Sequence, residues 1–310
     1  MGTATMTKRQ KYIKSLKKYW PLLLMLLPAV IYVGIFSYQP MYGVIIAFKD
    51  FKVKKGYLGS PWADQYGFEH FIRFFTYPKF WTLVKNTLGI SLYSLATFPC
   101  ALILALLMNE IPNLKFKKTV QMVTYAPYFL STVVLCGMIS LFCGGNGILR
   151  QAYEAVTGVD QDLLTIPSLF RHIYIWSGVW KGVGWGTIIY MAALAGVPDD
   201  QIEAARLDGA SRTQVIWHVK LPHILPTVVI MLILDTGSLM SVGSEKMLLL
   251  QNDLNIDVSN IISTYTYHVG LEDGQFSYST AIGLFNNIVN IIMIMISNTV
   301  AKRVSGNSLI

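Results

Sequence analysis

The feature that most constrains this chain is a series of six apolar stretches, each close to the length that crosses a lipid bilayer. They are residues 22–37, 80–108, 120–143, 173–196, 224–242 and 279–300. About 20 apolar residues in helical form span a hydrocarbon core of ~30 Å. Because lipid offers the backbone no hydrogen-bond partner, such a stretch has to satisfy its own N–H and C=O groups as a helix. The sequence therefore predicts an all-α membrane protein with six transmembrane helices.

Composition agrees with this class and excludes several others. Hydrophobic residues make up 53% of the chain and charged residues 14%, whereas soluble domains carry about 25% charged residues. The three cysteines, Cys100, Cys136 and Cys143, lie within apolar stretches and have neither a disulfide-framework nor a zinc-ligand spacing. The five histidines also lack metal-ligand spacing. We therefore expect no metal site and no catalytic site, and the net charge of +8 indicates membrane topology rather than nucleic-acid binding.

The two ends of the chain indicate its orientation. Residues 1–21 are basic and precede the first apolar stretch, but no small-x-small cleavage site follows that stretch. We therefore expect a retained first span and a cytoplasmic N-terminus. Six spans within 22–300 then place the tail 301–310 and the loop 197–222 in the cytoplasm as well. Lysine and arginine favour the predicted inner segments only modestly, because the first external loop, 47–79, is basic and runs against the positive-inside rule.

A long polar segment, residues 197–226, lies between the fourth and fifth apolar stretches. Pro198 suits the first turn of a helix, and Gly209 suits a left-handed residue at a helix end. Ser211 and Gln214 have the spacing of a capping box, so a second helix should start there and break before Pro222. A helix, a glycine turn and a second helix held between two spans are typical of a docking element.

The same segment carries a motif with fixed spacing. Glu203-Ala204-Ala205 is followed after three residues by Gly209, and nine residues later by Val219-Lys220-Leu221-Pro222. This pattern resembles the EAA loop of importer permeases in the ATP-binding-cassette (ABC) class, where isoleucine stands in place of Val219. The resemblance implies a cytoplasmic coupling helix that docks into a cleft of a separate ATPase. The residues it assigns to coupling are Glu203, Ala204, Ala205, Leu207, Asp208, Gly209, Leu221 and Pro222.

An amphipathic interfacial connector is the alternative for this segment. A helix-turn-helix that reads DNA is discounted, because the two flanking spans would hold it at the membrane. The chain also lacks the G-x-x-x-x-G-K-[ST] loop that cradles nucleotide phosphates, so it is not expected to hydrolyse ATP by itself.

The resemblance extends over essentially the whole chain. YQPMYGVIIAFKDF at 38–51, the tryptophan-rich fourth stretch and GQFSYSTAIGLFNNIVN at 274–290 resemble the LplB-type branch of carbohydrate importers. This implies the type I ABC importer permease fold in a bacterial plasma membrane and a carbohydrate cargo, an oligosaccharide. It also implies a heterodimer with a second related permease, two ATPase subunits that bind ATP and magnesium, and an extracytoplasmic sugar-binding protein. An importer of amino acids or phosphate, or a membrane scaffold that transports nothing, are the alternatives.

Polar residues within the last two apolar stretches are candidates for the substrate pathway. Asp235 falls near the middle of the fifth stretch, where insertion of a carboxylate costs roughly 2.5–3.5 kcal/mol. Asn286 and Asn290 are four residues apart and share a helical face. A salt bridge from Asp235 to the sister subunit, and hydrogen bonds between helices for the asparagines, are the alternatives.

Aromatic and small residues complete the predicted pathway. Trp185, Tyr190 and Tyr265 are expected to offer aromatic faces to sugar rings, although an interfacial aromatic belt gives a similar distribution. Glycines at 178, 182 and 186 form a small-residue face that predicts close helix packing, with a hinge as the alternative. The segment 244–278 is too apolar for a free loop, and we expect it to pack at the mouth of the pore and meet the binding protein.

Overall fold

The structure is a computed structural model that describes residues 8–305, with side chains described for 18–303. Within those limits it is helical and contains no β-strand, and a single antiparallel bridge joins Lys49 to Trp62. The chain divides into two compact units, Met1–His70 and Phe71–Ile310. This boundary falls inside the segment 22–300 that the sequence predicts as one domain.

The first unit is dominated by one long helix, α1 (Lys8–Val33). The helical path continues through a π-turn at Gly34–Tyr38, a short turn at Gln39–Met41 and a 3₁₀ segment at Tyr42–Phe48. Its most apolar 18-residue window has no buried residue, so apolar side chains are exposed on every side. A helix that is hydrophobic all round requires an apolar surrounding, in agreement with a first membrane span.

Among its described residues, the second unit contains ten further helices of seven residues or more. They are α2 (Phe80–Ala96), α3 (Pro99–Asn109), α4 (Leu114–Tyr125), α5 (Thr132–Cys143), α6 (Ile148–Thr157), α7 (Pro167–Leu194), α8 (Asp199–Leu207), α9 (Leu221–Thr236), α10 (Ser244–Leu250) and α11 (Phe276–Ser305). Short turns at Arg212–Val215, Ile256–Ser259 and Ile262–Tyr267, and π-turns at Ile216–Lys220 and His268–Glu272, connect them. The helix Glu69–Phe75 lies at the unit boundary.

Five helical segments among the described residues are long and apolar enough to cross a membrane. They are Lys18–Phe48, Phe80–Asn109, Thr132–Thr157, Arg212–Thr236 and Phe276–Arg303. The predicted fourth span, α7, is 28 residues long, or about 42 Å at 1.5 Å per residue. Its tryptophans and glycines lower its hydropathy. Because α7 packs against α3, α4 and α9, it presents less surface to lipid, and the six-span prediction holds approximately.

The predicted third span, 120–143, is interrupted in the structure. Helix α4 gives way to a 3₁₀ turn at Ala126–Phe129, which contains Pro127. Ser131 then caps a new helix, α5, by accepting a hydrogen bond from the N–H of Val134 at 3.3 Å. A proline lacks the N–H that a continuous helix needs, and a serine cap provides a new start. The apolar run that follows extends through α5 into α6.

The fifth span also differs from its predicted limits of 224–242. It begins earlier, because the helical path runs from Arg212 through a π-turn into α9 without the break expected before Pro222. The wider turn at Ile216–Lys220 absorbs the missing N–H of that proline, as π-turns in helices often do. The helix ends at Thr236. Asp235 therefore lies at the C-terminal end of α9, not at its middle.

Candidate functional site

The polar segment after α7 folds as its motif predicts. Helix α8 carries Asp199 and Asp200 in its first turn, where negative charge is favourable. Gly209 follows with φ of +83°, the left-handed conformation that glycine adopts at little cost. Ser211 and Gln214 form a complete capping box that starts the next helix. The backbone path of this loop is therefore set by local chemistry.

Apolar and ionic contacts fasten the loop to the helices of the membrane unit. Val197 and Ile224 are buried in a cluster with Ala105 and Leu194, and Ile202 of α8 packs against that cluster. Below the loop, Lys220 is 7% exposed and its Nζ donates to Oδ1 of Asn109 at 2.6 Å. The same ammonium forms an ion pair with Glu110 at the end of α3. A displacement of the loop therefore pulls on α3 as well as on α9.

The opposite face of α8 is exposed. Glu203, Ala204 and Asp208 are exposed, and Leu207 is 89% exposed, which is unusual for so apolar a side chain. A shallow cavity of about 260 Å³ lies beside the glycine turn, lined by Ala205, Asp208, Gly209, Ala210, Gln214, His218 and Val219. Leu221 is partly buried against the loop's apolar cluster, and Pro222 is exposed. An exposed helix face beside a concavity is the shape that a docking partner requires.

A second candidate site is a cavity of about 450 Å³ between α2–α3, α7 and α9. Asp235 lines it together with Tyr190 and, from α10, Lys246. A neighbouring cavity of about 260 Å³ shares Ser94, Tyr174 and Asp235 with the first. Lys246 donates from Nζ to the carbonyl oxygen of Tyr174 at 2.5 Å. Burial lowers the pKa of this lysine to about 8.

Two of the three predicted aromatic residues lie elsewhere. Tyr190 borders the cavity but is only 2% exposed and packs edge-on against Phe98. Trp185 stacks on Tyr128 with ring centroids 4.4 Å apart, on an exposed face. Tyr265 stacks on Tyr77 at 4.8 Å, and burial together with a hydrogen bond to the Tyr278 hydroxyl raises its pKa. The structure therefore does not bring these three rings together at one site.

Asn286 and Asn290 are engaged with the segment that follows α9. Asn290 is 7% exposed; its Oδ1 accepts from the N–H of Met240 at 2.9 Å and its Nδ2 donates to Oγ of Ser241 at 2.7 Å. Asn286 donates to the Met240 carbonyl at 2.9 Å. These bonds support the helix-packing alternative, because they engage backbone and hydroxyl groups of the segment that follows the end of α9. That the amides face the pore stays a hypothesis.

Comparison with known proteins identifies the family. Residues 97–306 match the family described as the binding-protein-dependent transport system inner membrane component. The chain belongs to this family. An inner membrane component of this kind is a multi-pass transport permease and not an enzyme, and its transport depends on a binding protein.

Two relatives of this inner membrane component align with it over nearly their full length. It is 40% identical to protein LplB of Bacillus subtilis (strain 168), over 96% of this chain and 94% of the relative. It is 41% identical to the polygalacturonan/rhamnogalacturonan transport system permease protein YteP of the same organism, over 96% and 92%. A crystal structure of a bacterial ABC transporter that imports the acidic polysaccharide alginate matches with a TM-score of 0.85 and 34% identity, over 95% and 99%.

Sequence reasoning missed two lysines of this inner membrane component. Lys220 stands inside the recognised motif, yet its role as a buried ion-pair partner depends on Glu110, 110 residues away. Lys246 lies in the segment 244–278, which was predicted to pack at the mouth of the pore and meet the binding protein, with no role given to the lysine. The available signal was a lysine directly before the apolar run Met247–Leu250, because an ammonium beside such a run needs a specific partner or a water-filled space.

Proposed function

We propose that this chain is one of two permease subunits of an ATP-driven importer of oligosaccharides. The observation that carries the proposal is the α8 loop, which is capped, closed by a left-handed glycine and fastened to α3, and yet exposes Glu203 and Leu207. Such a loop is built to transmit force from a partner to the membrane helices. Its spacing resembles the EAA loop. The assigned coupling residues from Glu203 to Gly209 fall on the exposed face or beside the glycine turn, whereas Leu221 packs against the loop's apolar cluster.

The partner at this loop is a cytoplasmic ATPase subunit, one of two in the complex. ATP and magnesium belong to that subunit. In this arrangement residues 1–21 and 301–310 and the loop 197–222 are all cytoplasmic. The second permease is a related chain, and the two together enclose the pore. Docking and ATP-driven closure of the ATPases move both coupling loops and switch the pore between inward-facing and outward-facing states.

Relatives support a saccharide as the cargo. YteP is named for polygalacturonan and rhamnogalacturonan, and the matching crystal structures concern alginate, one of them in complex with a periplasmic protein that holds an alginate pentasaccharide. A saccharide delivered by a binding protein therefore fits this chain better than an amino acid or phosphate. Asp235 is the proposed pathway residue of this subunit, since it lines both cavities between the helices.

Purification of the tagged chain from its native membrane tests the proposal. We expect recovery of a second six-span permease and an ATPase, and saccharide uptake in proteoliposomes that requires ATP and a binding protein. Glu203→Ala should leave assembly intact and reduce substrate-stimulated ATP hydrolysis, while Glu154→Ala on exposed α6 serves as the matched control. ATPase recovery without uptake of any solute would support the scaffold alternative instead.

A further inference from the structure

The predicted glycine face of α7 is open where it borders the larger cavity. A Cβ added at Gly182 would meet no atom within 4 Å, and one added at Gly178 would meet only Nζ of Lys246, at 3.4 Å. Of the three glycines, only Gly186 faces a neighbouring helix closely, with Cβ of Ala101 at 3.1 Å. Two of the three glycines thus leave a smooth backbone wall beside an ammonium group and do not close a helix contact.

The ammonium of Lys246 lies beside this wall and has hydrogen-bond donors that are not used within the described residues. An ammonium has three N–H donors, and in the described structure Lys246 uses one for the carbonyl of Tyr174, with Nζ also 4.4 Å from the Tyr174 ring centroid. Lys181 on α7 lies near enough for its charge to contribute to the lowered pKa of Lys246. None of the ion pairs among residues 18–303 includes either lysine.

Asp235 does not neutralise this pair of cations. It lines the same cavity, but it forms no ion pair with Lys246 in the described structure. The buried ammonium of Lys246, with a second cation nearby, is unfavourable between apolar helices unless water or an anion compensates it. A carboxylate on a ligand would supply that compensation through charge-assisted hydrogen bonds, while Asp235 remains free to accept from sugar hydroxyls.

We infer that Lys246 makes this cavity selective for saccharides that carry carboxylate groups, such as oligomers of uronic acids, over neutral saccharides of the same size. The inference rests on the proposed function and adds the chemical class of the cargo. A uronate oligomer combines a carboxylate for the lysine, hydroxyls for Asp235 and ring faces that can slide along the exposed backbone of Gly178 and Gly182.

A charged-reagent assay tests the cavity directly. Gly182→Cys provides the reporter in a chain whose three native cysteines are replaced, within the complex recovered from membranes. The rates of labelling by an anionic sulfonatoethyl and a cationic trimethylammonioethyl methanethiosulfonate are compared. Gly182 lies about one helical turn, ~6 Å, beyond Gly178. At that separation in water one charge changes each rate about threefold, so Lys246→Met should lower the anion-to-cation ratio about tenfold.

Two further measurements test whether the charge of Lys246 acts on saccharides. Trigalacturonate should protect the reporter from labelling, and its fully methyl-esterified form at matched ionic strength should protect far less. In proteoliposomes, Lys246→Met should lower the ratio of acid to ester uptake at least fivefold. Because the same binding protein serves the parent and the Lys246→Met complex, a changed uptake ratio is caused by the membrane subunit. Lys302→Met, which removes the same charge at the exposed end of α11, is the control.

The outcomes separate this inference from the proposed function. An anion-to-cation ratio that changes no more with Lys246→Met than with Lys302→Met would overturn the inference, as would equal protection by acid and ester. If both saccharides are taken up and Lys246→Met does not change the ratio of acid to ester uptake, the importer function is supported and the proposed selectivity is refuted. If the complex imports neither saccharide, the labelling ratio and the protection by trigalacturonate still show whether the cavity prefers anions. Ser94→Cys, on the same cavity, replaces the reporter if Gly182→Cys does not fold.

Discussion

The ion pair between Lys220 and Glu110 offers a quantitative test of how the α8 loop is fastened. Lys220→Met removes an ammonium that is 7% exposed and keeps a side chain of similar length. The change leaves Glu110 without its ion-pair partner and Asn109 without its donor. We expect the variant to insert and assemble but to unfold at a lower temperature.

The magnitude follows from burial. Removal of one partner of a buried ion pair costs about 3–5 kcal/mol. The Glu110 side chain is 21% exposed, so water solvates part of the orphaned carboxylate, and we expect the lower end, about 3 kcal/mol. In a domain of 150–250 residues each kcal/mol moves the midpoint by about 2–4 °C, so the midpoint should fall by about 6–12 °C. Replacing both residues, as Lys220→Met/Glu110→Leu, should recover most of this loss, because no uncompensated charge remains.

The assay is thermal denaturation of the purified complex in detergent, followed by size-exclusion chromatography of the fraction still folded. Lys118→Met is the matched control, because Lys118 is exposed on α4 and forms no ion pair within the described residues. A Lys220→Met midpoint equal to that of Lys118→Met would refute the reasoning. So would a double variant no more stable than the single one, since the cost would then not arise from the unpaired carboxylate.

Three other expectations follow from the geometry. Gly209→Val places a β-branched residue at φ +83°, which costs at least about 1–2 kcal/mol of strain. This variant should lose substrate-stimulated ATP hydrolysis. Gly209→Asn should retain most of that hydrolysis, because asparagine tolerates the left-handed region. Asn290→Leu should lower the thermal midpoint of the complex, and Asn290→Cys should resist water-soluble thiol reagents in every state; rapid labelling would return this residue to the pore. The pKa of Lys246 is about 8, so the preference of Gly182→Cys for the anionic reagent should decline as pH rises from 7 to 9, and a ratio independent of pH would contradict this. The titratable groups around that lysine are Tyr174 and Lys181 on α7, Cys136 on α5 and Glu245 on α10, and Asp235 of α9 lines the same cavity.

Features fixed by local chemistry could be predicted from the sequence. The apolar stretches, the capping box at Ser211 and the left-handed Gly209 each depend on residues within about one turn of one another. The structure has the capping box and the left-handed glycine at the predicted positions, whereas the third and fifth spans are displaced from the predicted ones. Pro127 lies at the break in the third span, but the new helix start depends on the cap at Ser131. In the sequence alone, Ser131 is indistinguishable from an ordinary polar residue in a membrane helix.

Features that depend on partners distant in sequence could not be predicted. Spacing favoured Gly178 and Gly182 for helix contact, whereas the tightest contact is at Gly184, where an added Cβ would collide with the backbone of Thr124 on α4. Asn290 was predicted to face the pore because it shares a helical face with Asn286. Its partner, the backbone N–H of Met240, lies 50 residues away in the sequence and is brought near only by the packing. A helix face identifies which residues point the same way, but only the packed structure shows what they meet.

Leu207 has a consequence for how a cell makes this protein. An apolar side chain that is 89% exposed represents up to about 2 kcal/mol of unfavourable hydration until something covers it. Under the proposed docking, that cover is a separately synthesised ATPase. A subunit produced in excess of its ATPase therefore keeps Leu207 exposed to the cytoplasm, where chaperones and proteases bind exposed apolar groups. Balanced production of the two chains keeps this side chain covered.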